Sequence, residues 1–397
     1  MTSGRQRILT IECDVLVVGA GPAGSSAAWA AAKGGAKTIF IDKKKEVGVP
    51  VQCAEGIGSY LISHLPFKMP KDQLLWKIDG ISFNVDDITI ERKGGMWSGY
   101  AINREKFDKW LADNAVKAGA KLLLDTELID VETREGYHVS TVRVKTNNVE
   151  TEIKPKVVIA ADGVDSTVLN LLGFEVDLEK TGYVYSFELS GVKVNSNLDY
   201  MFFGDFAPGG YGYIFPLSNN RANVGVAALF KKDSIKEFYD NFLELPEVNN
   251  LLGGENLIIK EKEGLVPFLP QTEKWHYGNI LFVGDAANQN LKPFVEGFLP
   301  GILCGDIAGQ SAAEYAVHGK GLESYVKTIE EKCKNFFEYS DVLTKILYET
   351  GKKTEKTYHL IRVGIVSDLF SLEELNHLKT LDYSILKKII LKRYKKQ

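Results

Sequence analysis

Cysteine is scarce in this 397-residue chain: Cys13, Cys53, Cys304 and Cys333 stand far apart, with no CxxC pair among them. That spacing excludes a cluster held by closely spaced thiolates, a zinc ribbon and a dithiol redox pair, and no metal site is expected. It also suits a reducing compartment. Long apolar runs are missing too. No uncharged apolar run reaches 18 residues, so no membrane span is expected. Residues 1–12 are too polar for a secretory signal, which makes the cytoplasm the expected location. Neither sign of charge dominates: 48 Lys and Arg against 52 Asp and Glu leave −4, which argues against nucleic acid as a partner. With 45% apolar and 25% charged residues, disorder and collagen-like structure are excluded. The length allows two or three domains, or one large interrupted fold, at roughly 100–200 residues each.

The strongest local pattern comes first. Asp14–Val18 reads as a buried strand and runs directly into Gly19-Ala20-Gly21-Pro22-Ala23-Gly24. The Ala-rich stretch Ser25–Lys33 follows as a helix, stopped by Gly34-Gly35. Lys37–Ile41 is a second strand, ending on Asp42. Together they form a βαβ unit with a dinucleotide fingerprint in its first turn. Gly19 permits the tight turn, Gly21 lets backbone amides approach a pyrophosphate, and Gly24 lets helix and strand pack closely. The helix start then offers its partial positive charge to the phosphates. Asp42 is placed to accept the hydroxyls of a ribose and would repel a 2′-phosphate.

Further along, Arg104–Ala118 shows helical spacing at Phe107, Leu111 and Ala115. Val157–Ala161 and Ile280–Val283 are buried-strand patterns ending in Asp162-Gly163 and Gly284-Asp285, and a helix is expected from Gly301 to Val317. Residues 66–100 and 181–275 have another texture, alternating and rich in Tyr, Phe, Gly and Pro, as antiparallel strands would be. The fold expected is α/β: a nucleotide-binding, Rossmann-like domain (1–65, 101–180 and 276–321) interrupted by an antiparallel-sheet substrate domain (66–100 and 181–275). Residues 322–397 form a helical C-terminal region.

Three strand ends in this order can share the carboxyl edge of one sheet, where ligands bind. The ordered set resembles the FAD-dependent, hydroxylase-like flavoproteins, and within them the geranylgeranyl reductase family, which saturates isoprenoid chains of lipids. Two segments carry the narrower resemblance. Pro50-Val51-Gln52-Cys53-Ala54-Glu55-Gly56 matches the family's segment beside the flavin. Pro208–Pro216 matches its lipid-cavity motif, with Tyr213 where Trp is usual. The resemblance covers roughly residues 11–330.

What the resemblance implies is FAD held, beyond the fingerprint glycines, at Gly24, Asp42, Cys53, Ala54, Gly56, Arg104, Asp285, Gly297 and Phe298. Leu128 is implied to meet the adenine side through its backbone. Asp162-Gly163 is expected to support the cofactor and the domain crossing. One departure stands out. Where family members show Asp-Pro and three glycines, this chain reads Lys292-Pro293 and keeps only Gly297, flanked by Glu296 and Phe298. A carboxylate there would disfavour charge on the reduced ring unless it points away.

Reduction of an isolated alkene needs a hydride from the cofactor and a proton for the other carbon. Cys53, Tyr211 and Tyr213 are the candidate catalytic residues, with Cys53 first and Glu55 a further candidate donor. There is no second nucleotide-binding unit, so electrons are expected from a docked carrier such as ferredoxin or from NAD(P)H. Two other readings share the cofactor motifs: an FAD-dependent monooxygenase of an apolar substrate, and a flavin-bound lipid carrier without turnover. Finally, residues 385–397 carry six Lys or Arg and no acid, interleaved with Ile385, Leu386, Ile389, Ile390 and Tyr394. Such a helix either lies on the inner face of the cell membrane or packs its apolar stripe on its own domain.

Overall fold

The computed structural model describes residues 9–194 and 197–396. Its larger sheet runs, in spatial order, His276–Tyr277, Ile280–Phe282, Val149–Ala160, Leu9–Val18, Thr38–Ile41 and Lys121–Leu123. From Ile280–Phe282 to Lys121–Leu123 neighbouring strands are parallel. Val149–Ala160 begins as the last arm of an antiparallel meander with Thr126–Arg134 and His138–Thr146. Register explains the site. Val18 pairs with Ile41 and with Ala160, and Ala160 pairs with Phe282. The residues that follow these strand ends, Gly19, Asp42, Ala161 and Val283, therefore emerge at one edge of the sheet.

Helix Pro22–Lys33 follows the fingerprint and is covered by helix Phe298–His318, which begins three residues before the expected Gly301. The two backbones nearly touch. A Cβ at Gly305 would lie 2.2 Å from the Ala23 carbonyl oxygen, and one at Gly309 2.2 Å from that of Ala27. Small residues on both helices thus set the spacing that brings the start of each to the same sheet edge.

The second sheet has seven strands in the order Leu257–Pro267, Thr181–Ser190, Arg221–Ala228, Tyr211–Pro216, Leu198–Phe202, Gly80–Val85 and Ile88–Lys93. It is antiparallel except at one pair, Leu198–Phe202 with Gly80–Val85. Those two strands come from different stretches of sequence, so no hairpin dictates their direction. One face packs on helices Ile235–Leu243 and Pro246–Leu252 through Tyr200, Phe202, Ile214 and Phe242. A three-stranded sheet of Gly56–Gly58, Gly99–Ile102 and Leu74–Ile78 lies at the crossings between the two larger ones.

The long helix Glu323–Gly351 ties both parts together. Tyr325, Ile329 and Cys333 join the core of the first sheet, while Leu343, Ile346 and Leu347 join that of the second. The last helix, Tyr383–Tyr394, turns its stripe inward: Leu386 and Ile390 are fully buried. Lys387 pairs with Asp87 at 2.6 Å, and the Glu91 amide donates to the Tyr394 hydroxyl at 3.1 Å. Of the two readings of this tail, the stripe packs on its own domain, leaving Ile385, Lys388, Leu391, Lys392, Lys395 and Lys396 exposed. Among the described residues no helix is long and apolar enough to cross a membrane.

Candidate functional site

The first strand end forms a cradle. Gly19 has φ +101°, and a Cβ there would sit 2.2 Å from the Ala161 carbonyl oxygen. A Cβ on Gly24 would meet the Gly19 oxygen at 1.9 Å, whereas one on Gly21 would meet nothing within 4 Å. The fingerprint thus closes on itself at Gly19 and Gly24 and stays open at Gly21. Gly21 caps helix Pro22–Lys33 without a side chain, so the first-turn amides keep their hydrogen-bonding capacity. Asp42 is pinned by two backbone amides: Ala20 N–H donates to Oδ2 and Lys44 N–H to Oδ1, both at 2.8 Å. Each oxygen retains a lone pair for a further donor. Leu128 sits nearby, two residues past Thr126, whose amide donates to the Asp42 carbonyl at 2.9 Å. Asp162 is occupied structurally, accepting from Ser166 Oγ at 2.7 Å and Val168 N–H at 2.9 Å.

At the third strand end, Gly284 N–H donates to Gln289 Oε1 at 2.8 Å, and a backbone bridge between Leu291 and Glu296 closes the loop. A Cβ on Gly297 would lie 2.8 Å from Asp285 Oδ1, so this glycine leaves room for the carboxylate. Burial pushes the Asp285 carboxyl up, against the pull of Lys292 and Arg104. Lys292 is buried, donates to Asn288 Oδ1 at 3.0 Å, and is pushed down by burial to about 8. Glu296 is also desolvated, which raises its carboxyl to about 8; its Oε1 accepts from Gly58 N–H at 3.4 Å. The carboxyl that replaces a family glycine is therefore largely neutral at pH 7, and the departure puts little negative charge into the site.

The Cys53 segment is clamped by residues distant in sequence. Glu55 adopts φ +65° and is buried. Its Oε2 accepts from Lys262 Nζ at 2.7 Å and Asn223 Nδ2 at 3.2 Å, and Oε1 from Arg104 N–H at 3.4 Å. Lys262 Nζ also donates to the Cys53 carbonyl at 3.1 Å, and Asn223 Nδ2 to that of Ala54 at 2.7 Å. Glu55, a candidate proton donor by sequence, is thus the anchor of a buried ion pair. Cys53 Sγ accepts from Glu55 N–H at 3.2 Å and faces Arg104. The Arg104 guanidinium forms a two-pronged pair with Asp108, both contacts at 2.9 Å, and lies 4.3 Å from the Phe298 ring centroid.

Across from this segment stands one face of the seven-stranded sheet. Tyr211, Tyr213 and Phe215 alternate onto it, with ring centroids 6.2 Å and then 4.7 Å apart. Phe215 Cδ2 lies 3.7 Å from where a Gly56 Cβ would be. Tyr211 donates to the Phe294 carbonyl at 3.1 Å, and the Tyr213 hydroxyl is buried, turned toward Ser186. Burial pushes both phenols up. Asp199 shares this face, and burial alone raises its carboxyl to about 8. Sequence reasoning missed Asp199, Asn223 and Lys262. Lys262 lies in Lys260-Glu261-Lys262-Glu263, which reads as a solvated strand.

Comparison with known proteins decides the family. Residues 14–201 match the model of FAD-dependent oxidoreductases, and residues 180–265 that of the geranylgeranyl reductase catalytic domain. Digeranylgeranylglycerophospholipid reductase 2 of Methanopyrus kandleri is 33% identical over 364 residues, covering 86% of this chain and 88% of the relative. The chain belongs to the geranylgeranyl reductase family. The digeranylgeranylglycerophospholipid reductase of Methanocaldococcus jannaschii is 36% identical over 334 residues, covering 82% of this chain and 83% of that one. A geranylgeranyl bacteriochlorophyll reductase-like crystal structure from Thermoplasma acidophilum superimposes with TM-score 0.80 at 26% identity, covering 97% of this chain and 100% of that one. The probable FAD-dependent monooxygenase PqsL of Pseudomonas aeruginosa, with TM-score 0.65 at 15% identity over 88% of this chain and 98% of that one, shares the fold.

The family is one of FAD-dependent oxidoreductases, and FAD is the cofactor. The residues present fit it. Gly21 leaves the first-turn amides approachable, Asp42 keeps free lone pairs, and Gly297 opens the space in front of Asp285.

Proposed function

We propose that the protein reduces carbon–carbon double bonds in the isoprenoid, geranylgeranyl-type chains of lipids. The observation that carries the reading is the approach of the clamped Cys53 segment to the aromatic face Tyr211–Phe215, a face that lies inside the region matching the reductase catalytic domain. Bound FAD, once reduced, supplies the hydride equivalent that an isolated alkene requires.

The chain's own residues would do the rest. Gly19, Gly21 and Gly24, with the start of helix Pro22–Lys33, would hold the pyrophosphate. Asp42 would take the ribose hydroxyls, the backbone at Leu128 the adenine side, and Asp285 the ribityl chain. Cys53, Ala54, Gly56, Arg104, Gly297 and Phe298 would bracket the ring system. The seven-stranded sheet is the substrate domain in this reading. Tyr211, Phe215 and Phe294, with Phe294 stacked 6.3 Å from Phe83, would line a dry path for an apolar chain. Cys53, Tyr211 and Tyr213 remain candidate proton carriers on that path.

The reductant is proposed to be a docked ferredoxin or NAD(P)H meeting the flavin transiently. A peripheral membrane contact is supported by the exposed Lys388, Lys392, Lys395 and Lys396 beside Ile385 and Leu391, at about 1 kcal/mol per basic residue near an anionic surface. Replacing those four lysines by Gln should abolish salt-sensitive sedimentation with anionic liposomes. Mass spectrometry of an organic extract of the purified, yellow protein tests the substrate class: an isoprenoid lipid supports the reductase, and a polar aromatic ligand supports a hydroxylase.

A further inference from the structure

We propose that Asp199 is a catalytic acid of this site, delivering the proton that completes reduction of the substrate's double bond. The inference rests on the reductase reading above and assigns a residue to its second half-step. Asp199 lies in strand Leu198–Phe202, paired with Ile81 of Gly80–Val85. Strand alternation puts it on the face that carries Met201 and Phe203, the face of Tyr211 and Phe215. Its carboxyl is aimed at the Cys53–Gly58 segment: a Cβ on Gly56 would stand 4.0 Å from Asp199 Oδ2.

The neighbouring carboxyls are committed elsewhere. Glu55 is held by Lys262 and Asn223, Asp108 by Arg104, and Asp162 by Ser166 and the Val168 amide. Glu296 stands at Gly58, two residues further along the same short strand, where its Oε1 accepts from the Gly58 amide at 3.4 Å and its Oε2 would lie 3.2 Å from a Gly58 Cβ. Among the described residues the Asp199 carboxyl has no hydrogen-bond partner, and burial raises its pKa. The titratable groups turned toward this position are the Tyr211 phenol and Cys53. Tyr211 already donates to the Phe294 carbonyl, so its proton is engaged. Burial keeps Asp199 an O–H acid up to a pH of about 8.

An unpaired carboxyl of raised pKa on the aromatic face opposite the Cys53 segment is the group a hydride transfer to an alkene needs. One alkene carbon gains the hydride equivalent from the reduced cofactor. The π electron pair forms a C–H bond with the Asp199 proton as the O–H bond breaks. The saturated chain leaves, and the carboxylate regains a proton from solvent. General acids of this kind contribute roughly 10²–10⁴-fold.

Two measurements on the FAD-loaded protein test this. In the Glu296→Gln background, infrared difference spectra should contain a protonated-carboxyl band that titrates near pH 8 and is missing once Asp199→Asn is added. In anaerobic mixing with a geranylgeranyl lipid, the reduced variant should re-oxidise at least about 100-fold more slowly than wild type, with Asp199→Glu restoring part of the rate. A wild-type rate in Asp199→Asn, an unchanged carboxyl band, or an equal loss of FAD affinity would overturn the assignment. If the wild type itself fails to re-oxidise with lipid, the reductase reading falls and takes the acid's role with it.

Discussion

Glu55 and Lys262 lie 207 residues apart in sequence, yet a 2.7 Å contact between them holds the backbone of the Cys53 segment in place. Both are buried, so removing one partner strands the other's charge. Lys262→Met should destabilise the protein by about 3–5 kcal/mol in chemical denaturation, and adding Glu55→Gln should recover part of that loss. No residue-level pattern announces such a pair. Cys53 and its neighbours were legible because a short motif recurs in a family, whereas Lys262 depends on where a distant strand lands. Asp199 was hidden for the same reason: an acid in an alternating strand reads as solvent-facing until the opposite surface is known. Asp199 and Glu296 are pushed by burial to about 8, above the ordinary carboxylate range. The native state therefore holds more protons than the unfolded chain between that range and pH 8. These two groups make stability fall as pH rises through this window. The double variant Asp199→Asn, Glu296→Gln should flatten the fall in melting temperature across pH 5–8 relative to wild type; an identical slope would place both carboxyls in water.

Among the elements, the pair of helices Pro22–Lys33 and Phe298–His318 governs the cofactor cradle. Their contact depends on the absence of side chains at Gly305 and Gly309. Gly309→Val would press on the Ala27 carbonyl oxygen, 2.2 Å from the new Cβ. Overpacking of this kind costs about 1–3 kcal/mol, and the displaced helix start should weaken FAD binding in the same variant. Calorimetry of unfolding and flavin titration check the two effects separately. The terminal helix behaves as part of the core: Leu386→Ala, at a fully buried position, should cost about 2–5 kcal/mol in the same unfolding experiment. The fingerprint helix and strand ends were legible because Gly spacing and apolar runs carry them locally. The direction of Leu198–Phe202 beside Gly80–Val85 was not, since parallel pairing joins segments with no turn between them.

On the scale of the whole molecule, two sheets meet at the Gly56–Gly58 crossing, one offering a nucleotide edge and the other an aromatic face. Helix Glu323–Gly351 packs on both, which fixes how the two surfaces oppose each other. The cofactor edge could be read from three strand ends in order. The opposing face could not, because its composition of Tyr, Phe and Gly fits any antiparallel sheet. Together these surfaces saturate an isoprenoid double bond without oxygen. The most direct test is anaerobic reaction of the dithionite-reduced holoprotein with a geranylgeranyl lipid, followed by mass analysis of the product. Flavin re-oxidation matched by a gain of two hydrogens for each double bond consumed is expected. A lipid recovered unchanged, or a substrate that reacts only in air and gains an oxygen atom, would contradict it.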